Sequence, residues 1–82
     1  MSVLQIGKYI CTSTTGPTYY YDIIGIEGFI KYRIFKPHRG YWSGYRISRT
    51  SESEGFYNMI NDGRLKMMTK QDIIKFTLKY RV

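Results

Sequence analysis

Cationic and aromatic side chains recur between residues 29 and 46 at spacings that place them on one face of a β-sheet. Side chains two positions apart along a strand point the same way, and the next strand of a hairpin adds its own alternate residues to that face. Rings on such a face stack on bases, and cations contact phosphates. The pattern therefore predicts a binding surface for a flat anionic ligand. Its members are Phe29, Lys31, Arg33, Phe35, Trp42 and Arg46.

Two more candidate binding residues lie in the predicted loop Pro37–Gly40. His38 and Arg39 stand at its tip, where both can reach a phosphate. His38 is the only histidine of the chain, and no carboxylate stands beside it in the sequence. Because a catalytic histidine is usually oriented by a partner group, an ordinary exposed turn residue is the alternative interpretation of His38.

Other kinds of chemistry find little support in the sequence. One cysteine, one histidine and scattered carboxylates give no metal-ligand spacing, and there is no phosphate-binding loop or dinucleotide fingerprint. Cys11 has no identifiable base and is interpreted as a buried strand residue. We therefore expect a non-enzymatic protein with no cofactor and no metal. One enzymatic alternative is a small basic ribonuclease of the toxin type, which cleaves RNA with Arg, Lys and Tyr alone, although such toxins place their helices before the sheet.

Three predicted strands between residues 19 and 49 position these side chains. A two-residue turn, Glu27-Gly28, sets Ile26 opposite Phe29, and the loop Pro37–Gly40 connects the second hairpin. The resulting register predicts three cross-strand pairs on the cationic face. They are Asp22 with Arg33, Phe35 with Trp42, and Lys31 with Arg46. The last pair joins like charges, so a bound anion would stabilise it.

The opposite face of this sheet carries tyrosines and isoleucines and is predicted to be the core. Its residues are Tyr19, Tyr21, Ile23, Ile30, Tyr32, Ile34, Tyr45 and Ile47. A capping box, Ser51 to Glu54, and apolar residues at helical spacing predict a helix over about residues 52–61. We expect this helix to pack on the tyrosine and isoleucine face and to leave the cationic face uncovered.

The chain before residue 19 supplies a first strand, Val3–Cys11, and a turn-rich connection, Thr12–Pro17. This connection offers an alternative for the cationic face, because it could cap a minor hydrophobic cluster there. That cluster would consist of Tyr20, Phe35 and Trp42.

The last twenty residues fit two structures. Strict alternation of apolar and polar residues favours a long strand, Ile73–Val82, preceded by a short strand, Arg64–Met68, and a turn, Thr69–Asp72. The alternative is a helix from Lys70 to Tyr80, since the turn residues also resemble a helix cap.

The chain as a whole is predicted to be one α+β domain over residues 1–82. It consists of a small antiparallel sheet of five or six strands, with a meander in residues 3–49, and one short helix packed on one face. A partly open small β-barrel is the alternative fold.

The segment Gly28–Phe35 resembles the aromatic and basic strand of RNA-recognition and cold-shock domains, whose outward rings stack on bases. Glu27 stands where those domains have a basic residue, and Lys31 stands where they have a second stacking ring. No family is therefore assigned. The resemblance implies base stacking by rings and phosphate contacts by cations on this strand.

Thirteen Lys and Arg against six Asp and Glu give a net charge of +7, which favours acidic partners. Nucleic acid or a nucleotide is the preferred ligand. The chain has no alanine but many Ile, Tyr and Lys residues, a bias typical of AT-rich coding sequences such as those of phages and other viruses. The alternative function is therefore a small virus-type or phage-type inhibitor that binds and blocks a host protein, a role suited to a Tyr-rich surface. A homodimer is a further way to cover exposed rings.

The expected location is the cytoplasm, or the host cytoplasm if the chain is viral. No stretch approaches the ~20 apolar residues of a membrane span, and the first residues lack a basic leader followed by a long apolar run. A single cysteine cannot form an internal disulfide, which favours a reducing compartment. We expect no membrane partner.

Overall fold

The computed structural model of the protein describes residues 4–13 and 15–81. Five strands and two helices occur in these residues. They are β1 (Gly7–Cys11), β2 (Tyr19–Ile26), β3 (Ile30–Phe35), β4 (Arg46–Ile47), α1 (Thr50–Asn61), β5 (Leu65–Met67) and α2 (Lys70–Tyr80). The strands form one antiparallel sheet in the order β4-β3-β2-β1-β5. The edge strands β4 and β5 do not pair with each other, so the sheet is open. The predicted α+β class is confirmed, and the five strands do not close into a barrel.

Helix α1 covers the face that the sequence assigned to the core. It follows β4 at one edge of the sheet and leads to β5 at the other, so it crosses the whole face. Phe56 and Ile60 on α1 are buried against the sheet. The sheet residues in this core include Tyr9, Ile23, Ile30, Tyr32 and Leu65. The predicted helix, its position on this face and the short strand at residues 65–67 are therefore confirmed.

Helix α2 occupies the segment for which a long strand was preferred. The predicted strand Ile73–Val82 is wrong, and the alternative helix from Lys70 to Tyr80 is confirmed. A capping box starts this helix: the Asp72 N–H donates to Thr69 Oγ1 at 3.1 Å, and the Thr69 N–H donates to Asp72 Oδ2 at 3.0 Å. The backbone hydrogen bond from Thr69 lowers the pKa of Asp72 from its ordinary value. Phe76 and Tyr80, one turn apart, pack on the sheet face opposite α1.

The start of α1 differs from the predicted one. Its N-cap residue is Arg49, and no side chain makes a capping hydrogen bond there. The predicted capping box of Ser51 and Glu54 is therefore wrong. Ser48, just before the helix, is buried instead, and its Oγ accepts from the Ile30 N–H at 2.8 Å. The entry to α1 is thus anchored to β3 by a serine outside the helix.

The two helix starts predict opposite outcomes for two alanine substitutions. Thr69→Ala removes a hydroxyl that caps α2, so we expect it to lower the free energy of unfolding by about 0.5–2 kcal/mol. Ser51→Ala removes an exposed hydroxyl that makes no capping bond, so we expect no measurable loss. Urea unfolding of both variants checks this, and a larger loss for Ser51→Ala would mean that α1 is capped by its own first turn.

The register between β2 and β3 is correct over most of its length. Asp22 pairs with Arg33 as predicted, but Ile26 pairs with Ile30 and not with Phe29. The difference arises at Ile24, where the register shifts by one residue between Ile23 and Gly25. An extra residue of this kind is a β-bulge, and it moves Phe29 out of β3 and into the turn.

A second register shift separates Trp42 from β4. Trp42 bridges to Phe35 as predicted. Next, the Ser43 Oγ accepts from the Ile34 N–H at 3.0 Å, and the Ser43 N–H donates to the Ile34 carbonyl at 2.8 Å. Because the Ser43 hydroxyl replaces a backbone carbonyl as acceptor in the hydrogen-bond ladder, the chain has one extra residue before β4. Arg46 then pairs with Tyr32, and Lys31 pairs with Ile47, so the predicted pair of Lys31 with Arg46 is wrong.

Neither helix in the described residues is long and apolar enough to cross a membrane. The prediction that the first strand starts at Val3 falls on a residue outside the described part of the chain, and β1 as described begins at Gly7.

Candidate functional site

Helix α2 covers one end of the face that was predicted to stay open. Phe35 is 0% exposed, and its ring centroid lies 4.9 Å from those of both Phe76 and Tyr80 on α2. The prediction that Phe35 offers a stacking surface is therefore corrected, because a helix stands where a strand was expected. The aromatic cluster comprises Tyr20, Phe35, Trp42, Phe76 and Tyr80, with Ile10 and Met68 beside it. The alternative of a minor hydrophobic cluster had the right members, and in the described residues helix α2 packs on it.

Trp42 links the aromatic cluster to the open part of the same face. Its ring lies 5.5 Å from that of Phe35 and 5.8 Å from that of Phe76. The Arg33 guanidinium carbon lies 4.6 Å from the Trp42 ring centroid, a distance typical of cation–π contacts. Trp42 is half-buried, so its main contacts are with the protein and it acts as a support for Arg33.

Arg33 is held in place by three neighbours. Its Nε donates to Asp22 Oδ2 at 2.9 Å, and the Asp22 side chain is mostly buried. Its guanidinium carbon also lies 5.3 Å from the ring centroid of Tyr45. A carboxylate on one side and rings on the other fix the orientation of the guanidinium. Arg33 therefore presents a pre-oriented cation at the surface, partly neutralised by Asp22.

Tyr45 and Ile47 are the site residues that the sequence assigned to the wrong face. Tyr45 is 52% exposed and Ile47 is 60% exposed, and Ile47 pairs directly with Lys31. The Lys31 Nζ lies 5.9 Å from the Tyr45 ring centroid. A signal for this arrangement was present, because Ser43-Gly44 interrupts the run of strand-forming residues and marks a place for a bulge.

These contacts define one exposed surface at the β3–β4 edge of the sheet, here called the edge stripe. It alternates cations with rings and ends on an exposed isoleucine. Its members are Lys31, Arg33, Trp42, Tyr45 and Ile47. Three of the predicted site residues, Lys31, Arg33 and Trp42, are thus brought together.

The other predicted site residues lie elsewhere. Phe29 is 44% exposed and lines a cavity of about 150 Å³ beside α1. His38 is exposed in the loop after β3. Arg39 and Arg46 line a small pocket on the α1 face, because the shift at Ser43 turns Arg46 away from Lys31. The prediction that Arg46 shares a face with Lys31 and Arg33 is therefore wrong.

The electrostatic character of this end of the molecule is strongly positive. Residues 28–51 contain no Asp or Glu and six cations, which are Lys31, Arg33, Lys36, Arg39, Arg46 and Arg49. In the described part of the chain, two carboxylates outside the segment contact it. Asp22 pairs with Arg33, and Glu52 Oε2 accepts from the Tyr32 hydroxyl at 3.4 Å. Both faces of the β3–β4 hairpin therefore attract anions.

Groups for metal binding are not assembled in the described residues. No three His, Cys, Asp or Glu side chains in this part of the chain lie together as metal ligands. The Cys11 thiol lies 3.7 Å from the Met59 sulfur, and burial raises its pKa. A raised pKa keeps a thiol protonated and weakly nucleophilic.

Comparison of the chain with protein-family models, with curated proteins and with solved structures finds no match.

Proposed function

We propose that the protein binds single-stranded nucleic acid through the edge stripe. The observation that carries the proposal is the exposed ring of Tyr45 flanked by two cations, Lys31 and Arg33. An exposed ring next to cations can stack on a base while the cations contact the adjoining phosphates. In a duplex the base faces are already stacked on one another, so this arrangement favours an unpaired strand.

The charge distribution supports the same ligand. The six cations of residues 28–51 have no carboxylate among them in the sequence, and their electrostatic attraction raises both the rate and the strength of association with a polyanion. Lys31 is exposed, and Arg33 is held by Asp22 and Trp42 at a fixed position. A cation that is already oriented loses less entropy on binding than a free one. The edge stripe thus combines an adaptable cation with a fixed one.

The salt dependence of binding tests this proposal. We expect a labelled single strand of about twelve nucleotides to bind the wild-type protein with a log–log salt slope that reflects several phosphate contacts. Lys31→Gln should reduce that slope by about 0.7 if one contact on a single strand is lost. The matched control is Lys66→Gln, which removes the same charge from β5 at the far edge of the sheet.

Three experimental results would argue against the proposed function in different ways. Equal slopes for Lys31→Gln and Lys66→Gln would show that only net charge matters and would exclude the edge stripe as the site. Absence of binding to DNA, RNA and nucleotides at low salt would remove the proposal. Cleavage of an RNA strand by the wild-type protein would favour the ribonuclease alternative over simple binding.

The alternative, a protein that blocks a host protein, also has one observation in its favour. Ile47 and Tyr45 are exposed at the edge of the sheet, where β4 can accept a strand from a partner. A complex of this type should survive high salt and nuclease. Ile47→Lys should then abolish it while Lys31→Gln leaves it intact, which is the reverse of the result expected for nucleic acid.

A further inference from the structure

A pocket of about 80 Å³ lies on the α1 face of the β3–β4 hairpin, opposite the edge stripe. Half of its lining side chains are cationic, and none is a carboxylate. The lining residues are Ile34, Lys36, Arg39, Tyr41, Ser43 and Arg46. This set is called the cationic pocket here.

The backbone of the hairpin brings the three cations together. The carbonyl of Lys36 accepts from the N–H groups of Arg39 at 2.9 Å and of Gly40 at 3.2 Å, so the loop turns back over the end of β3. Gly40 completes this turn with φ of 78°, a conformation that glycine adopts without strain. Arg46 arrives from β4 because the shift at Ser43 places it opposite Tyr32.

Two tyrosines lie next to cations of the pocket. The Lys36 Nζ lies 5.5 Å from the Tyr19 ring centroid, which holds the ammonium by an aromatic ring. Burial raises the pKa of the Tyr32 hydroxyl, Glu52 raises it further and Arg46 opposes the rise. Arg46 pairs with Tyr32 across the two strands, and the Glu52 carboxylate accepts a hydrogen bond from the Tyr32 hydroxyl at 3.4 Å.

The size and charge of the cationic pocket select a small, highly charged anion. The pocket is small, about 80 Å³, which suits one tetrahedral anion. An internal phosphodiester carries a single charge, whereas a phosphomonoester carries about −1.5 to −2 and offers three acceptor oxygens. Three cations match the monoester, and charge-assisted hydrogen bonds strengthen such a contact.

We propose that the cationic pocket binds a phosphomonoester at the end of a nucleic-acid strand. This inference rests on the proposed function, because the strand that ends in the pocket is the one that follows the edge stripe. The two surfaces lie on opposite faces of β3 and β4, and β4 is an edge strand. A flexible single strand can pass around that edge from one face to the other.

The first experiment tests the pocket without a strand. ¹H–¹⁵N correlation spectra are recorded during titration with AMP and, separately, with adenosine. We expect saturable shifts of the Arg39, Gly40 and Ser43 amides with AMP and none with adenosine. The double variant Lys36→Gln/Arg39→Gln should lose them, while Lys66→Gln/Lys70→Gln, which removes the same charge from exposed positions elsewhere, should keep them. If AMP causes no saturable shift in this loop, the pocket proposal is overturned.

The second experiment identifies the source of the phosphate. A short single strand carrying a 5′-phosphate, a 3′-phosphate or two hydroxyl ends is titrated at fixed salt. We expect one phosphorylated end to bind about tenfold more tightly than the hydroxyl strand, with the gain lost in Lys36→Gln/Arg39→Gln and kept in the control. Shifts with AMP but equal affinities for all three strands would overturn the strand end as the ligand. Shifts with AMP and no binding of any strand would overturn the proposed function while the pocket keeps its monoester specificity.

Discussion

Phe35→Ala is expected to lower the free energy of unfolding by about 3–5 kcal/mol. Phe35 is fully buried between the sheet and α2, and its ring contacts those of Tyr20, Trp42, Phe76 and Tyr80. Removing the ring leaves a cavity lined by aromatic side chains, which are too rigid to collapse into it. The loss therefore includes both the transfer term and the cavity term.

The matched control for Phe35→Ala is Phe29→Ala. Phe29 is the same residue type, six positions earlier, but it lies half-exposed in the turn before β3. We expect it to cost far less, because little apolar surface returns to water. Urea unfolding of both variants gives the comparison. Equal losses would mean that α2 does not dock on Phe35, and the whole cationic face would then be open as first predicted.

The parts of the fold that could be predicted are those in which local pattern and tertiary packing agree. The face toward α1 alternates along β3 and along β2 as far as the bulge at Ile24, and its inward residues Ile23, Ile30 and Tyr32 are buried. Period-two alternation with one buried face fixes a register firmly. The same regularity explains why Asp22 with Arg33 and Phe35 with Trp42 were paired correctly.

The segment after β5 shows why alternation alone is insufficient. Ile74 and Leu78 lie two positions before and two positions after Phe76 in an apparent strand pattern, yet they are also one helical turn apart from each other and lie exposed on α2. A run of this length fits both the period of a strand and the period of a helix in part. The helix is favoured over the strand by its cap, Thr69 and Asp72, and by packing on the aromatic rings of the sheet. Those rings are distant from α2 in the sequence.

The prediction of the site is wrong because the strand register shifts by one residue. The shift at Ser43 exchanges the faces of everything that follows on β4, which sends Arg46 toward α1 and exposes Tyr45 and Ile47. A one-residue slip always reverses inward and outward side chains. Lys31 and Arg33 were placed correctly because β3 precedes the shift. The cationic pocket could not be predicted at all, since it depends on Arg46 lying on the face opposite to the one assigned, where it meets Arg39 of the loop.

Tyr45→Ala is expected to weaken binding of a single strand by about 1–3 kcal/mol, the typical value of one base stacked on an aromatic ring. The log–log salt slope should stay unchanged, because a ring releases no counterions. The melting temperature should also stay nearly the same, since Tyr45 is half-exposed and stands outside both buried clusters. Tyr45→Phe should bind like the wild type if stacking is the dominant contact.

Trp42→Ala separates a contact with the ligand from support of the site. The Trp42 ring packs on Phe35 and Phe76 and holds Arg33. Its removal should therefore lower the melting temperature as well as the affinity. Part of the affinity loss should come from Arg33, which is no longer held in one orientation. Fluorescence anisotropy and thermal melts of the Tyr45→Ala and Trp42→Ala variants, measured side by side, distinguish the two roles. If Tyr45→Ala left affinity unchanged while Trp42→Ala reduced it without loss of stability, the base would stack on Trp42, and the exposed ring of Tyr45 would then be better explained as part of a protein interface with Ile47.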